Sequence, residues 1–201
     1  KAARDVPQEF VGDEAHRGDM VWSAAVPEEL RSRATAVIGN FPVSQASQYT
    51  RLEWLQTFSA GVDAYICPGV LPRGTMVTNA SGAYGQSVSE HMFATMWALM
   101  KNLNRYASNQ RDHQWQDEGP VLSPEGGIAL IIGVGDIGSH FAQLAQSVGM
   151  RTFGVRRHAD VPAKGIEKMY GFERLETLLP LADVVAMAVP RSPQTHHLLN
   201  A

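Results

Sequence analysis

Residues 128–138 read Ile-Ala-Leu-Ile-Ile-Gly-Val-Gly-Asp-Ile-Gly, and the order of residue types in that stretch decides the fold. Ile128 to Ile132 is apolar without alternation, as expected of a parallel strand covered on both faces. Directly after it, Gly133-Val134-Gly135-Asp136-Ile137-Gly138 forms the pattern G-x-G-x-x-G. Ile137, Phe141, Leu144, Ala145 and Val148 then recur at helical spacing, with Gly149 as a C-terminal stop. A glycine-rich turn can arise by chance, so its place between a strand and a helix carries more weight than the pattern. In that place the first glycine permits a tight turn and the second lets backbone approach a pyrophosphate. The third lets helix and strand pack closely, and the helix N-terminus offers unpaired N–H groups to the anion. Gly133, Gly135, Asp136, Ile137 and Gly138 are therefore candidate dinucleotide-binding residues.

Working outward, Arg151 to Val155 reads as a second strand and ends in Arg156-Arg157. Dinucleotide-binding folds that select NAD place an Asp or Glu at this point, to hold the ribose 2′-hydroxyl. A guanidinium there suits a 2′-phosphate instead, through charge-assisted bidentate hydrogen bonds. Arg156 and Arg157 thus point to NADP(H) as the preferred cofactor, with NAD as the lesser possibility. The plainer alternative is a pair of solvated arginines at a strand end. Glu173 to Leu179 is a short helix ended before Pro180, and Asp183 to Val189 is a further buried strand closed by Pro190. Strand and helix in alternation predict a Rossmann-type doubly wound parallel sheet, of class α/β.

Upstream, Gln116 to Gly127 holds Gly119, Pro120, Pro124 and Gly126-Gly127 and reads as a linker. Before it, no Pro or Gly interrupts Val88 to Trp115. Val88, Met92, Met96, Leu99, Leu103 and Tyr106 fall on one face at spacings of three and four, which predicts one long helix. Phe93, Trp97 and Met100 lie off that face, so its first half needs burial on several sides. The first ninety or so residues alternate short apolar runs with turn-formers. Asp19 to Ser23, Ala34 to Ile38, Leu52 to Phe58 and Thr75 to Thr78 read as strands, and Pro27 to Arg33 as a helix. The organisation expected is a first lobe over residues 1–90 and a nucleotide-binding domain over 91–201 that begins with the long helix.

Composition narrows the function classes. A chain of 201 residues with 44% hydrophobic, 18% charged and 8% aromatic content and net charge −3 can bury a real core. It resembles neither a disordered segment nor a basic nucleic-acid binder. The apolar stretch Val88 to Met100 is too short and too interrupted to span a bilayer, and no secretory h-region opens the chain. The single cysteine, Cys67, cannot form an internal disulfide and no zinc-spaced cluster surrounds it. No nucleic acid, membrane or metal partner is expected, and a reducing cytoplasm fits best.

With these motifs in order, the chain resembles the D-2-hydroxyacid dehydrogenase family. The resemblance rests on Leu52-Glu53-Trp54-Leu55-Gln56 leading into Ser59-Ala60-Gly61-Val62-Asp63, then Thr78-Asn79-Ala80-Ser81-Gly82 and Ser87-Val88-Ser89-Glu90-His91. The glycine loop with Gly154-Val155-Arg156-Arg157 follows, then Leu181-Ala182-Asp183-Val184-Val185 into Val189-Pro190. It covers roughly Leu30 to Ala201 and is carried by order and spacing. It implies flavodoxin-like and Rossmann-like lobes with the active site in the cleft between them, and a homodimer. It further implies that the backbone of Ala60 and Gly61 holds the substrate carboxylate, as a nest of N–H groups would. Val189 and Pro190 would lie beside the nicotinamide, with Ser192 and Thr195 as phosphate or adenine-side contacts.

The chemistry implied is hydride transfer between a small 2-hydroxy acid and its 2-keto acid. The family's catalytic Arg, Glu and His are expected after Ala201, so no catalytic residue is assigned within this chain, which reads as a fragment predicted to be inactive. Two departures stand out: Lys1 to Met20 lacks a clear opening strand, and Glu125-Gly126-Gly127 replaces a basic lead into the first Rossmann strand. His196 and His197 read as solvated surface, His91 beside Glu90 as a satisfied helical histidine, and His113 beside Asp112 as a polar helix end. The runner-up function is that of the family's corepressor-type members, which bind nucleotide to assemble with protein partners.

Overall fold

A computed structural model describes residues 26–200, so the expected strand Asp19 to Ser23 lies outside the described residues. The chain divides into two compact units, with the boundary between Ser81 and Gly82.

The first unit carries a short helix α1 (Glu28–Arg31) and three strands, β1 (Ala36–Ile38), β2 (Trp54–Gln56) and β3 (Met76–Thr78). They pair in parallel in the order β1-β2-β3, with Val37 opposite Leu55 and Leu55 opposite Val77. The core is small and aromatic. Phe41 stacks on Tyr49 at 4.2 Å between ring centroids and meets Tyr65 edge-on at 5.3 Å. Leu52 and Leu55 complete it. The Tyr65 hydroxyl accepts from Phe41 N–H and donates to Phe41 C=O, which satisfies a polar atom inside an apolar cluster. Burial pushes the Tyr49 and Tyr65 phenols above their usual range; the nearby Arg31 charge and the bond to Phe41, respectively, act against it.

The second unit opens with α2 (Gly85–Met100) and α3 (Leu103–Arg111) and continues through β4 (Ile128–Ile132), α4 (Asp136–Ser147), β5 (Arg151–Val155), β6 (Lys168–Tyr170), α5 (Leu175–Leu178) and β7 (Val184–Met187). The four strands β4 to β7 are parallel in the order β6-β5-β4-β7, so the chain reverses its direction of sheet growth beside β4. That is the half-sheet of a doubly wound fold, and its switch point lies between β4 and β7. Successive residues of β4 feed opposite layers: Ala129 and Ile131 join Met96, Phe141 and Ala145, whereas Leu130 and Ile132 join Phe153, Leu175 and Leu178. The unbroken apolar run is thereby explained. Each fully buried Leu or Ile contributes about 1.5–3 kcal/mol.

The single long helix expected over Val88 to Trp115 is two helices. Asn102 adopts a left-handed conformation (φ 54°), which asparagine tolerates better than most residues, and the chain turns there. Its Nδ2 donates to the carbonyl of Glu118 at 3.3 Å, and Leu122 N–H donates to Met100 C=O at 2.9 Å. The break is thus stabilised by a returning segment that local periodicity does not register. The inward face also differs. Gly85, Ser89, Met96 and Met100 are buried, while Val88, Leu99 and Leu103 of the expected stripe are exposed. The first half of the helix is apolar nearly all round, so pattern alone could not choose; small residues at 85 and 89 admit the close neighbour α4. Ser89 buries its hydroxyl by donating to Gln86 C=O.

Two smaller differences appear downstream. β6 was not foreseen, because Lys-Met-Tyr is too short and mixed to register; Arg156 N–H holds its end through Tyr170 C=O. The helix expected to end before Pro180 continues as a 3₁₀ turn, Leu179–Leu181, with Pro180 in its first turn, where no N–H is needed.

Candidate functional site

The glycine loop occupies the carboxyl end of β4. Gly133 takes φ 92°, and a Cβ there would lie 2.6 Å from Ala188 O and 2.7 Å from Val189 Cγ1. Positive φ and a neighbouring backbone at the end of β7 both demand glycine at 133. At Gly138 a Cβ would overlap Gly133 O and lie 3.1 Å from Ile131 Cγ2, so the third glycine permits α4 to sit on β4. Gly135 differs: a Cβ there meets nothing within 4 Å, and its φ of −102° is open to other residues. Among the described residues no steric neighbour requires that glycine.

Asp136 and Ile137 begin α4, whose N-terminus has no side-chain cap among the described residues. The backbone donors of that first turn are available to an anion. The Asp136 side chain turns away from this role. Its carboxylate occupies the space left by the missing Cβ of Gly85 and lies 3.3 Å from His140 Nδ1, which donates to the Asp136 backbone C=O at 2.9 Å. A cleft of about 450 Å³ opens beside the second glycine, lined by Gly135, Asp136, His140, Arg156, Ala163 and Lys164 among others.

The two arginines at the end of β5 are not equivalent. Arg156 donates through Nε to His158 C=O at 2.9 Å, through Nη1 to Val134 C=O at 3.4 Å and through Nη2 to Val161 C=O. Arg157 is exposed. At the end of β7, Val189 packs against Gly133 and against the core layer of Leu130 and Ile132, whereas Pro190 is exposed. Ser192 and Thr195 bond to one another: Ser192 N–H donates to Thr195 Oγ1 at 2.9 Å, and Thr195 Oγ1 donates to Pro190 C=O at 2.6 Å. They close a turn. His196 and His197 are exposed, their rings 4.0 Å apart.

In the first unit, Ala60 and Gly61 lie in an exposed turn after β2. Every carbonyl of that turn is held from behind. Ser59 C=O accepts from Thr57 Oγ1 at 2.8 Å and from Ala80 N–H at 3.1 Å. Ala60 C=O accepts from Asn79 Nδ2 at 2.7 Å, and Gly61 C=O from Ser59 Oγ at 2.8 Å. Asn40 adds a bond from Nδ2 to Ser59 Oγ at 3.3 Å and accepts from Phe58 N–H at 2.9 Å. With the carbonyls committed, the conformation of the turn is held by hydrogen bonds. Sequence reasoning found the turn but not its scaffold; Asn40 and Asn79, each just past a strand end, were the available signal.

Comparison with known proteins bears on both units. Residues 93–201, more than half of the chain, match the family model described as D-isomer specific 2-hydroxyacid dehydrogenase, NAD binding domain. A glycerate dehydrogenase of Methylorubrum extorquens is 25% identical over 185 residues, covering 88% of this chain and 56% of that protein. A D-lactate dehydrogenase of Treponema pallidum is 28% identical over 155 residues, covering 75% of this chain and 45% of that protein. Among solved structures, a D-isomer specific 2-hydroxyacid dehydrogenase family protein from Aeromonas salmonicida superposes with a TM-score of 0.75 at 30% identity, over 85% of this chain and 55% of that one. The chain spans about half the length of the curated relatives it matches.

Proposed function

The chain belongs to the D-isomer specific 2-hydroxyacid dehydrogenase family, and on that premise we propose that the complete protein interconverts small D-2-hydroxy acids and 2-keto acids, reducing the keto acid with NADPH. The observation that carries this reading is the steric contrast within the glycine loop. Gly133 and Gly138 are required by the protein's own packing, whereas Gly135 is open on its outer side, next to the uncapped start of α4. An open glycine beside free helix donors fits a pyrophosphate, with the backbone of Gly135, Asp136 and Ile137 as its cradle. The nicotinamide of such a cofactor supplies or accepts the hydride. Val189 and Pro190, at the switch point, would border it.

The Ala60-Gly61 turn would take the substrate carboxylate on its amide groups. The positive charge at the end of β5 supports NADPH over NADH, since hydrogen bonds to a charged partner contribute about 1.5–3 kcal/mol each. Glycerate and D-lactate dehydrogenases among the relatives support a small 2-hydroxy acid as substrate class. The proton donor and carbonyl-polarising arginine are proposed to lie outside residues 1–201, and the reaction to run in the cytoplasm. The exposed Leu99, Leu103 and Trp115 along α2, α3 and the segment after them support a homodimer through that flank.

The deciding experiment is binding and turnover by the complete gene-encoded protein. NADPH should bind more tightly than NADH, and glyoxylate, hydroxypyruvate or phenylpyruvate should be reduced. Gly135→Val should abolish nucleotide binding while the fold persists; unchanged binding in that variant would remove the site assignment.

A further inference from the structure

Two adjacent arginines close β5, and their surroundings separate them. The Arg156 guanidinium reaches three backbone carbonyls: Val134 inside the glycine loop, and His158 and Val161 in the connection toward β6. Its backbone N–H is bonded to Tyr170 C=O at the end of β6. The side chain is half-buried and its fork is already directed by protein acceptors. Arg157 is exposed and makes no hydrogen bond or ion pair among the described residues.

We propose that Arg156 is a positioning residue that clamps the glycine loop to the β5–β6 connection, and that Arg157 is the residue that selects the 2′-phosphate of NADP(H). This division rests on the NADP(H) reading above and assigns its two arginines different work. The physical link runs through one peptide group. A trans peptide is planar, with its C=O and N–H pointing in opposite directions. Holding Val134 C=O toward Arg156 therefore directs the Gly135 N–H to the other side, where the loop is open. Val134 is braced from a second direction as well, because a Cβ on Gly154 would lie 2.8 Å from Val134 Cγ2. Without the clamp, three carbonyls lose a donor and the peptide ahead of Gly135 is free to turn. That weakens the pyrophosphate cradle, which NADH and NADPH share. The 2′-phosphate, which only NADPH carries, is left to the free guanidinium next door.

The test is a set of equilibrium dissociation constants for NADH and NADPH, read by nucleotide fluorescence, with hydrogen exchange of the nucleotide-free protein over residues 133–138 and 158–161. The proteins are the wild type, Arg157→Ala, Arg156→Ala and Arg156→Lys, all in the complete chain. Arg157→Ala should weaken NADPH about tenfold or more, leave NADH within about twofold and leave loop exchange unchanged. Arg156→Ala should weaken both nucleotides by one common factor, keep their ratio within about twofold and speed exchange in both segments. Arg156→Lys keeps a charge but cannot span three carbonyls, so its loop should exchange like that of Arg156→Ala. If Arg156→Ala collapses the NADPH/NADH ratio, or leaves exchange over 133–138 unchanged, the clamp is overturned; a folded Arg156→Lys with wild-type loop exchange overturns it too. An Arg157→Ala protein that keeps its NADPH preference overturns the selection half. Equal wild-type affinities for the two nucleotides would instead refute the NADPH preference, and with it the role of Arg157, while exchange still reads the clamp.

Discussion

The loop Gly133 to Gly138 and the turn Ser59 to Gly61 both follow a parallel strand, yet they are built on opposite principles. In the glycine loop, shape follows from missing side chains: Gly133 and Gly138 lie where a Cβ would strike backbone. In the turn, shape follows from side chains that are present. Thr57, Ser59 and Asn79 hold its carbonyls, and Gly61 is under no steric demand, since its Cβ would meet only Asp63 Oδ1 at 3.7 Å. One proposed anion-binding surface is thus specified by exclusion and the other by hydrogen bonding. A glycine in a motif need not be a glycine required by the fold.

Substitutions can break this comparison at its strongest point first. Gly133→Ala would combine a positive φ with a close approach to Ala188 O, and should destabilise the second unit by about 2–5 kcal/mol in urea titrations. Gly138→Ala meets Gly133 O at ordinary φ and should cost about 1–3 kcal/mol. Stability within experimental error of wild type for either would mean that the loop is not specified by exclusion.

Gly135→Ala sharpens the contrast inside the loop. Its Cβ enters open space, so stability should stay within about 1 kcal/mol of wild type while the dissociation constant of the dinucleotide rises about tenfold or more. A variant that loses stability and keeps its nucleotide would reverse the roles assigned to the three glycines.

For the turn, Asn79→Ala removes the donor to Ala60 C=O and the acceptor for Ser81 N–H, and a loss of about 1 kcal/mol is expected. Binding of a small carboxylate inhibitor to the complete protein should weaken in parallel, because the peptide that presents its N–H is no longer held. The smallest effect belongs to Gly61→Ala, expected within about 0.5 kcal/mol of wild type with carboxylate binding retained. A large loss there would place the turn in the same class as the glycine loop.

Much of the second unit was legible in the sequence because its signals are local. β4 and β5 run over Ile128–Ile132 and Arg151–Val155, the bounds their apolar runs and flanking turns suggest. The glycine loop lies between strand and helix as its spacing required. What the sequence determined by itself was therefore the α/β class, the family and the residues of the loop, since each is written in periodicity or in fixed offsets between neighbours. The break at Asn102, the inward face of α2, the clamp formed by Arg156 and the scaffold behind Ala60 were decided only by tertiary structure. Each depends on partners distant along the chain: Glu118 for Asn102, Asp136 for Gly85, Val134 for Arg156, Asn79 for Ala60. Local pattern records which residues want burial or a partner, whereas the identity of the partner is set by which segments the fold brings within hydrogen-bonding or van der Waals reach.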